Sequence, residues 1–220
     1  MGERIETIKL GMVNAYLVRA GDGFVLIDTG VPDTWETLEA ALKAAGCLPD
    51  RLRLVVITHG DFDHTGRCAK LQERYGARIA MHQADSPMAE TGAPLEREVS
   101  RLGRFLVWVN RRGKQRPAFE TFKPDMGLTD GQSLAEYGVE ATIVYLPGHT
   151  PGSIAVLMSD GDMFVGDTLS NMFKPGMSPF VSDRAQLESS IDRLKGMDLK
   201  TLYPGHGKPF PAEKLSKIAK

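Results

Sequence analysis

Cysteine is nearly absent from this chain: Cys47 and Cys68 are the two in 220 residues, and neither stands in a CxxC or other ligand-spaced pair. A disulfide framework is therefore not expected, and both thiols read as small apolar fillers in or near helices. No apolar run approaches the roughly 18 residues that could span a bilayer. An excess of one charge is also lacking, because 27 Lys and Arg stand against 28 Asp and Glu for a net charge of -1. Nothing in that balance attracts a polyanion, so nucleic-acid binding is not expected. The start of the chain carries Glu3, Arg4, Glu6 and Lys9 where a signal peptide would need an apolar stretch, which implies no export and a cytoplasmic location. What is present, 42% hydrophobic and 25% charged residues over this length, is the composition of one large domain spanning 1–220 with a substantial core.

Short β-branched and aromatic runs at 14–20 and 24–27, separated by Gly21-Asp22-Gly23, predict an antiparallel hairpin behind a first strand around Ile5 and Ile8. A helix is expected from 33 to 45, with Asp33 capping, Glu36 completing a capping box and Gly46 ending it. Its apolar stripe of Trp35, Leu38, Leu42 and Ala45 makes Trp35 a core residue. A buried strand over 52–57, a helix over 65–75 and a strand over 77–81 follow, and His82 after that strand reads as a structural or surface histidine. Residues 87–123 break the alternation and read as a mainly helical insertion, with Val99, Leu102, Phe105, Leu106 and Val109 on one stripe. Between 97 and 123 this segment carries Arg97, Arg101, Arg104, Arg111, Arg112, Lys114, Arg116 and Lys123 against Glu98 and Glu120. A solvated helix, a lid or homodimer contact, and a membrane or nucleic-acid surface all fit that charge pattern. Strands return at 139–146, 153–158, 163–165 and 201–203, with a helix over 183–195 and another from 211.

Chemistry concentrates where strands end. The run over 52–57 leads into Thr58-His59-Gly60-Asp61-Phe62-Asp63-His64-Thr65-Gly66, which holds two imidazoles and two carboxylates within six residues. Carboxylates about 4 Å apart repel by roughly 4 kcal/mol at an effective dielectric of about 20, and a bound cation removes that repulsion. A polar turn in which Asp61 and Asp63 cap the next helix is the alternative for this stretch. Three later strands end comparably, in Pro147-Gly148-His149-Thr150-Pro151-Gly152, in Gly166-Asp167-Thr168 and in Pro204-Gly205-His206-Gly207.

On these motifs the chain resembles the metallo-β-lactamase superfamily over nearly its whole length, with the 87–123 segment unaccounted for. The resemblance implies an α/β fold, a four-layer αββα sandwich with a one- or two-metal site at its sheet edges. It implies His59, Asp61 and His149 as the first metal site, Asp63, His64 and His206 as the second, Asp167 as the bridge between them, and Asp28 as a group orienting a ligand. The usual pattern is His-x-His-x-Asp-His, and Asp61 stands where its second histidine is expected. Three carboxylates among the ligands keep iron or manganese open beside zinc, which leads for two divalent ions, and reduced occupancy of the first position is also open. The motifs after 146 and 165 resemble the glyoxalase II and lactonase members, although a separate carboxy-terminal domain of the glyoxalase II kind is not expected and Ser170 stands where some lactonases carry a tyrosine. The implied activity is a metal-dependent hydrolase of a small ester, thioester or lactone, with Asp63 and Asp167 as the catalytic groups that orient the nucleophile. Iron-dependent redox chemistry, phosphodiester hydrolysis and a catalytically silent metal-binding module are the competing readings.

Overall fold

The computed structural model describes residues 4–93, 95, 97–99, 103–104 and 119–218. Alternation along each strand feeds two different cores, and this builds the layers. In β3 (Gly23–Ile27), Phe24 and Leu26 join one cluster with Leu38 and Leu42, while Val25 and Ile27 join another with Ile143 and Val156. In β4 (Leu52–Val56), Leu52 and Val55 face the first cluster, and Leu54 and Val56 the second. A sheet buried on both faces needs cover on each side, and every such aliphatic side chain contributes about 1.5–3 kcal/mol relative to exposure.

The first sheet adds β1 (Ile5–Leu10), β2 (Val13–Ala20), β5 (Ile79–His82) and β7 (Met126–Leu128), in the order β1-β2-β3-β4-β5-β7. β1 to β3 are antiparallel, with Gly21 and Asp22 closing the predicted hairpin, and β3 to β7 are parallel. β6 (Glu98–Val99) lies outside this sheet. Five strands form the second sheet: β8 (Ala141–Tyr145), β9 (Ile154–Met158), β10 (Met163–Gly166), β14 (Thr201–Pro204) and β15 (Phe210–Pro211), ordered β15-β14-β10-β9-β8. Two small ribbons complete the strands: β11 (Leu169–Ser170) with β12 (Gly176–Met177), and β6 with β13 (Phe180–Val181). Helices α1 (Trp35–Ala44) and α3 (Cys68–Tyr75) cover the outer face of the first sheet. Helix α5 (Arg184–Lys195) covers the second through Leu187, Ile191 and Leu194. This is the expected four-layer sandwich, with Trp35, Cys47 and Cys68 buried in its core and no disulfide between the two thiols.

Three local expectations need correction. Helix α1 begins after Thr34, and no side chain caps it: Thr34 Oγ1 donates instead to the Val31 carbonyl, so the Asp33–Glu36 capping box does not form. The helix expected over 65–75 is two pieces, α2 (Phe62–Thr65) and α3, because Gly66 N–H turns to the Gly30 carbonyl and packs on Pro32 too closely for any Cβ. The expected carboxy-terminal helix is a short 3-10 segment over Ala212–Lys217. Within 87–123, the described residues include α4 (Ser86–Thr91) and β6; Leu102, Phe105, Leu106 and Val109 of the predicted stripe lie outside the described residues.

Candidate metal centre

Parallel and antiparallel strands of both sheets end at one edge, and backbone bonds sew those ends together. Ile154 N–H donates to the Thr58 carbonyl, Asn14 N–H to Gly205 and Asn171 N–H to His206, at 2.8–2.9 Å. β4 thereby delivers His59, the single turn of α2 carries Asp63 and His64, and the ends of β8, β10 and β14 deliver His149, Asp167 and His206. Asp85, fully buried, braces the arrangement by accepting from Gly60 N–H, Gly152 N–H and Thr150 Oγ1 at 2.6–2.8 Å. Its loop ties the turn after β4 to the turn after β8.

All four imidazoles are held from behind by Nδ1 and present Nε2 to a common centre. His64 Nδ1 pairs with Asp28 Oδ2 at 2.8 Å, His149 Nδ1 with the Phe180 carbonyl at 2.7 Å and His206 Nδ1 with the Met12 carbonyl at 2.8 Å. His59 Nδ1 lies 3.0 Å from Thr58 Oγ1, whose proton goes to Asp28 at 2.8 Å. Carbonyl and carboxylate partners place the proton on Nδ1 and leave the Nε2 lone pair facing inward, the arrangement that suits an imidazole for metal ligation. Asp28 holds this post in a left-handed conformation at φ 59°, unusual for a residue with a side chain.

The inward atoms cluster tightly. His59, Asp61 and His149 form one set, His59, His64 and Asp167 a second, and Asp63, His64 and His206 a third, each with donor atoms within 4.8 Å of one another. Asp167 spans them: its Oδ1 is 3.5 Å from His64 Nε2, and its Oδ2 is 3.4 Å from His206 Nε2 and 3.9 Å from His149 Nε2. His59 Nε2, His64 Nε2 and Asp167 Oδ1 are buried without a hydrogen bond among the described residues. Unsatisfied polar atoms in a buried site are costly, and three of them converging is a fit to a cation. Gly205 keeps that space open, since a Cβ there would collide with Asp167 Oδ1 and the His64 ring.

Charge in the metal-free site is strongly polarised. Burial opposes ionisation of Asp63 and Asp167, yet the facing imidazoles outweigh it and hold both below the usual carboxylate range. Burial likewise works to lower His64 and His206, but the charges of Asp28 and Asp167 push His64 up to about 10, and Asp167 and Asp63 push His206 up to about 9. His59 moves the other way, lowered by burial and by the neighbouring His64 and His149.

These shifts set the pH dependence of the metal-stripped protein. His64 and His206 hold their protons more tightly when folded, so their contribution is full below 6.5 and lost as pH rises toward about 9 and 10. His59 holds its proton less tightly when folded, and its stabilising effect is lost as pH falls below 6.5. The depressed carboxylates add a loss below 3.8. Thermal unfolding of chelator-stripped protein is therefore expected to peak near 6.5 and to weaken steadily on the alkaline side, where zinc abolishes the fall by holding the imidazoles without protons. A flat alkaline limb in stripped protein contradicts the ion-paired arrangement.

The structure brings His59, Asp61, Asp63, His64, His149, Asp167 and His206 close together, with Asp28 behind His64. His82 stays outside: its Nδ1 accepts from Ala84 N–H at 3.2 Å and its ring stacks on Tyr145 at 4.6 Å. Two participants carry no motif that marks them as parts of the site. Asp85 follows His82 by three positions and belongs to none of the strand-end clusters. Arg97 is one of many cations in the basic segment, yet its guanidinium grips Asp61 with both ends, Nη1 donating to Oδ2 at 2.5 Å and Nη2 to Oδ1. Burial works to raise the Asp61 pKa, but the facing His149 and His59 imidazoles and the Arg97 guanidinium hold it well below the carboxylate range.

This fold and centre define a metallo-hydrolase. The family model of the metallo-beta-lactamase superfamily matches residues 8–206, and the chain belongs to that superfamily. It is 28% identical over 224 residues to the acyl-coenzyme A thioesterase MBLAC2 of Homo sapiens, covering 94% of this chain and 77% of that protein. It is 29% identical over 188 residues to a hydroxyacylglutathione hydrolase of Acidiphilium cryptum, covering 86% of this chain and 61% of the other. Among solved structures, the B3 metallo-beta-lactamase BLEG-1 superimposes with a TM-score of 0.76 at 22% identity, covering 97% of this chain and 96% of that one, a likeness of fold.

Proposed function

We propose that this chain is a metal-dependent thioester hydrolase whose centre is built from His59, Asp61, Asp63, His64, His149, Asp167 and His206, with Asp63 and Asp167 as its catalytic groups. The observation that carries the reading is the convergence of four back-tethered imidazoles and a spanning carboxylate, three of whose inward atoms are buried without a hydrogen bond among the described residues. Zinc is the leading ion, because Arg97 neutralises the third carboxylate, the one that favours iron or manganese. When bound, divalent ions lower the pKa of water from about 15.7 to about 7 and polarise a carbonyl oxygen.

The chain's own residues do the rest. Asp167, spanning the imidazoles, fixes the line along which water meets the carbonyl carbon, and Asp63 stands beside His206 at 3.3 Å to accept the proton that water gives up. A thiolate leaves without needing a strong general acid, which suits a site whose acidic side chains are held ionised. Thioesters are favoured over small polar esters by the rim of the centre. Of the four exposed large apolar side chains among the described residues, three flank it: Met12, whose carbonyl holds His206; Phe62, between Asp61 and Asp63; and Phe173, two residues beyond the Asn171 bonded to His206. Such a rim accepts an acyl chain. Of the two similar proteins quoted above, one is by name an acyl-coenzyme A thioesterase and the other a hydroxyacylglutathione hydrolase.

The test uses zinc-replete protein, its content verified by elemental analysis, against acyl thioesters of increasing chain length beside lactones, oxygen esters and phosphodiesters. Thioester cleavage with kcat/KM rising with acyl length is expected. Cleavage of a lactone or phosphodiester with thioesters untouched, or of nothing in the panel, overturns the reading.

A further inference from the structure

We propose that Arg97 is built into one half of the centre as a fixed cation, so that the Asp63, His64 and His206 half binds a divalent ion tightly and the His59, Asp61 and His149 half binds a second only weakly. The inference rests on the seven-residue centre proposed above.

Arg97 occupies both oxygens of Asp61, and a guanidinium does not surrender its charge at any working pH. A divalent ion entering that half meets a positive charge on the carboxylate that should receive it. No described cationic side chain is paired to Asp63 apart from His206, whose Nε2 lies 3.3 Å away. The two halves thus differ in field although their donor sets match, each being two imidazoles and one carboxylate with Asp167 between.

Arg97 is no stray surface side chain. The next two residues, Glu98 and Val99, form β6 and pair with Val181 and Phe180 of β13. The Phe180 carbonyl in turn holds His149 Nδ1, so one small ribbon places both the imidazole and the guanidinium of this half. The Arg97 side chain is 11% exposed, and its Nε is buried without a hydrogen bond among the described residues. That buried charge is answered first by Asp61: histidine, the usual residue there, offers neither a negative charge nor a pair of oxygens to the guanidinium fork. The departure at position 61 and the arginine at 97 therefore form one unit.

The experiment is zinc titration of the metal-stripped full chain against a competing chromophoric chelator, with elemental analysis after dialysis, for the wild type, Arg97→Ala and Arg97→Lys. The wild type is expected to retain one equivalent, with the second at least about 100-fold weaker, and Arg97→Ala to tighten the second by about 10-fold or more. Arg97→Lys, which keeps the charge without the bidentate fork, is expected between them and serves if the alanine variant does not fold. Two equally tight zinc ions in the wild type, or an unchanged gap in a folded variant, overturn the role of Arg97 and leave the centre standing. Failure of the wild type to bind zinc at all overturns the centre itself.

Discussion

Asp167→Asn is expected to lower kcat/KM on the thioester turned over by the wild type by more than about 100-fold, and to reduce bound zinc measured on the same sample. Outer partners of metal ligands typically change affinity or activity by about 10–100-fold, and Asp167 stands inside that shell. Its two oxygens face His64, His206 and His149 at 3.4–3.9 Å, which puts this one carboxylate in reach of both halves. Asparagine keeps the shape and removes the charge, and it presents N–H groups where a cation should sit. Activity within about tenfold of wild type, with zinc retained, would remove Asp167 from the centre.

Asp28→Asn separates orientation from folding. The carboxylate accepts from Thr58 N–H and Thr58 Oγ1 and pairs with His64 Nδ1, all in a site 1% exposed. Asparagine tolerates the left-handed backbone at φ 59° and retains an acceptor for Thr58, so the fold is expected to persist. Its amide cannot serve both neighbours, however. Turning N–H2 toward His64 puts two donors face to face, which moves the imidazole proton to Nε2 and closes the lone pair that faces the centre. Zinc affinity is expected to fall by about 10–100-fold with a small change in Tm. Asp28→Ala is expected to do both kinds of damage, because each stranded buried partner costs about 1–3 kcal/mol and a Cβ-bearing residue without a polar side chain is disfavoured at positive φ. Chelator competition and thermal unfolding of the two variants distinguish these outcomes; unchanged zinc affinity in Asp28→Asn would refute the orienting role.

Much of the centre is legible in the amino-acid sequence because the apolar runs stop abruptly. A strand ending in Gly, His and Asp advertises a loop that must approach something closely, and four such endings in one chain converge when strands share an edge. Helix limits are less legible. Asp33 carries a capping signature, but Thr34 and the Gly30 to Gly66 bond settle where α1 starts and why α2 and α3 separate. Local propensity yields there to a tertiary hydrogen bond. Asp85 and Arg97 are illegible as site residues for a similar reason. Asp85 acts on residues as far away as Gly152, and Arg97 on Asp61, 36 positions earlier. Neither separation leaves a pattern in the chain, and an arginine in a basic segment looks like one more solvated charge.

The sequence by itself determines the donor inventory: which histidines and aspartates follow strands, that Asp61 replaces an imidazole, and that strands of continuous apolar character need cover on both faces. Periodicity and chain punctuation are local properties, and these features are written in them. Only the tertiary structure decides the charge state of that inventory. It places Asp28 behind His64, sets Asp167 across both halves and closes the Asp61 carboxylate with Arg97. Electrostatic fields depend on distance through space, and the residues that set this one are far apart in the chain.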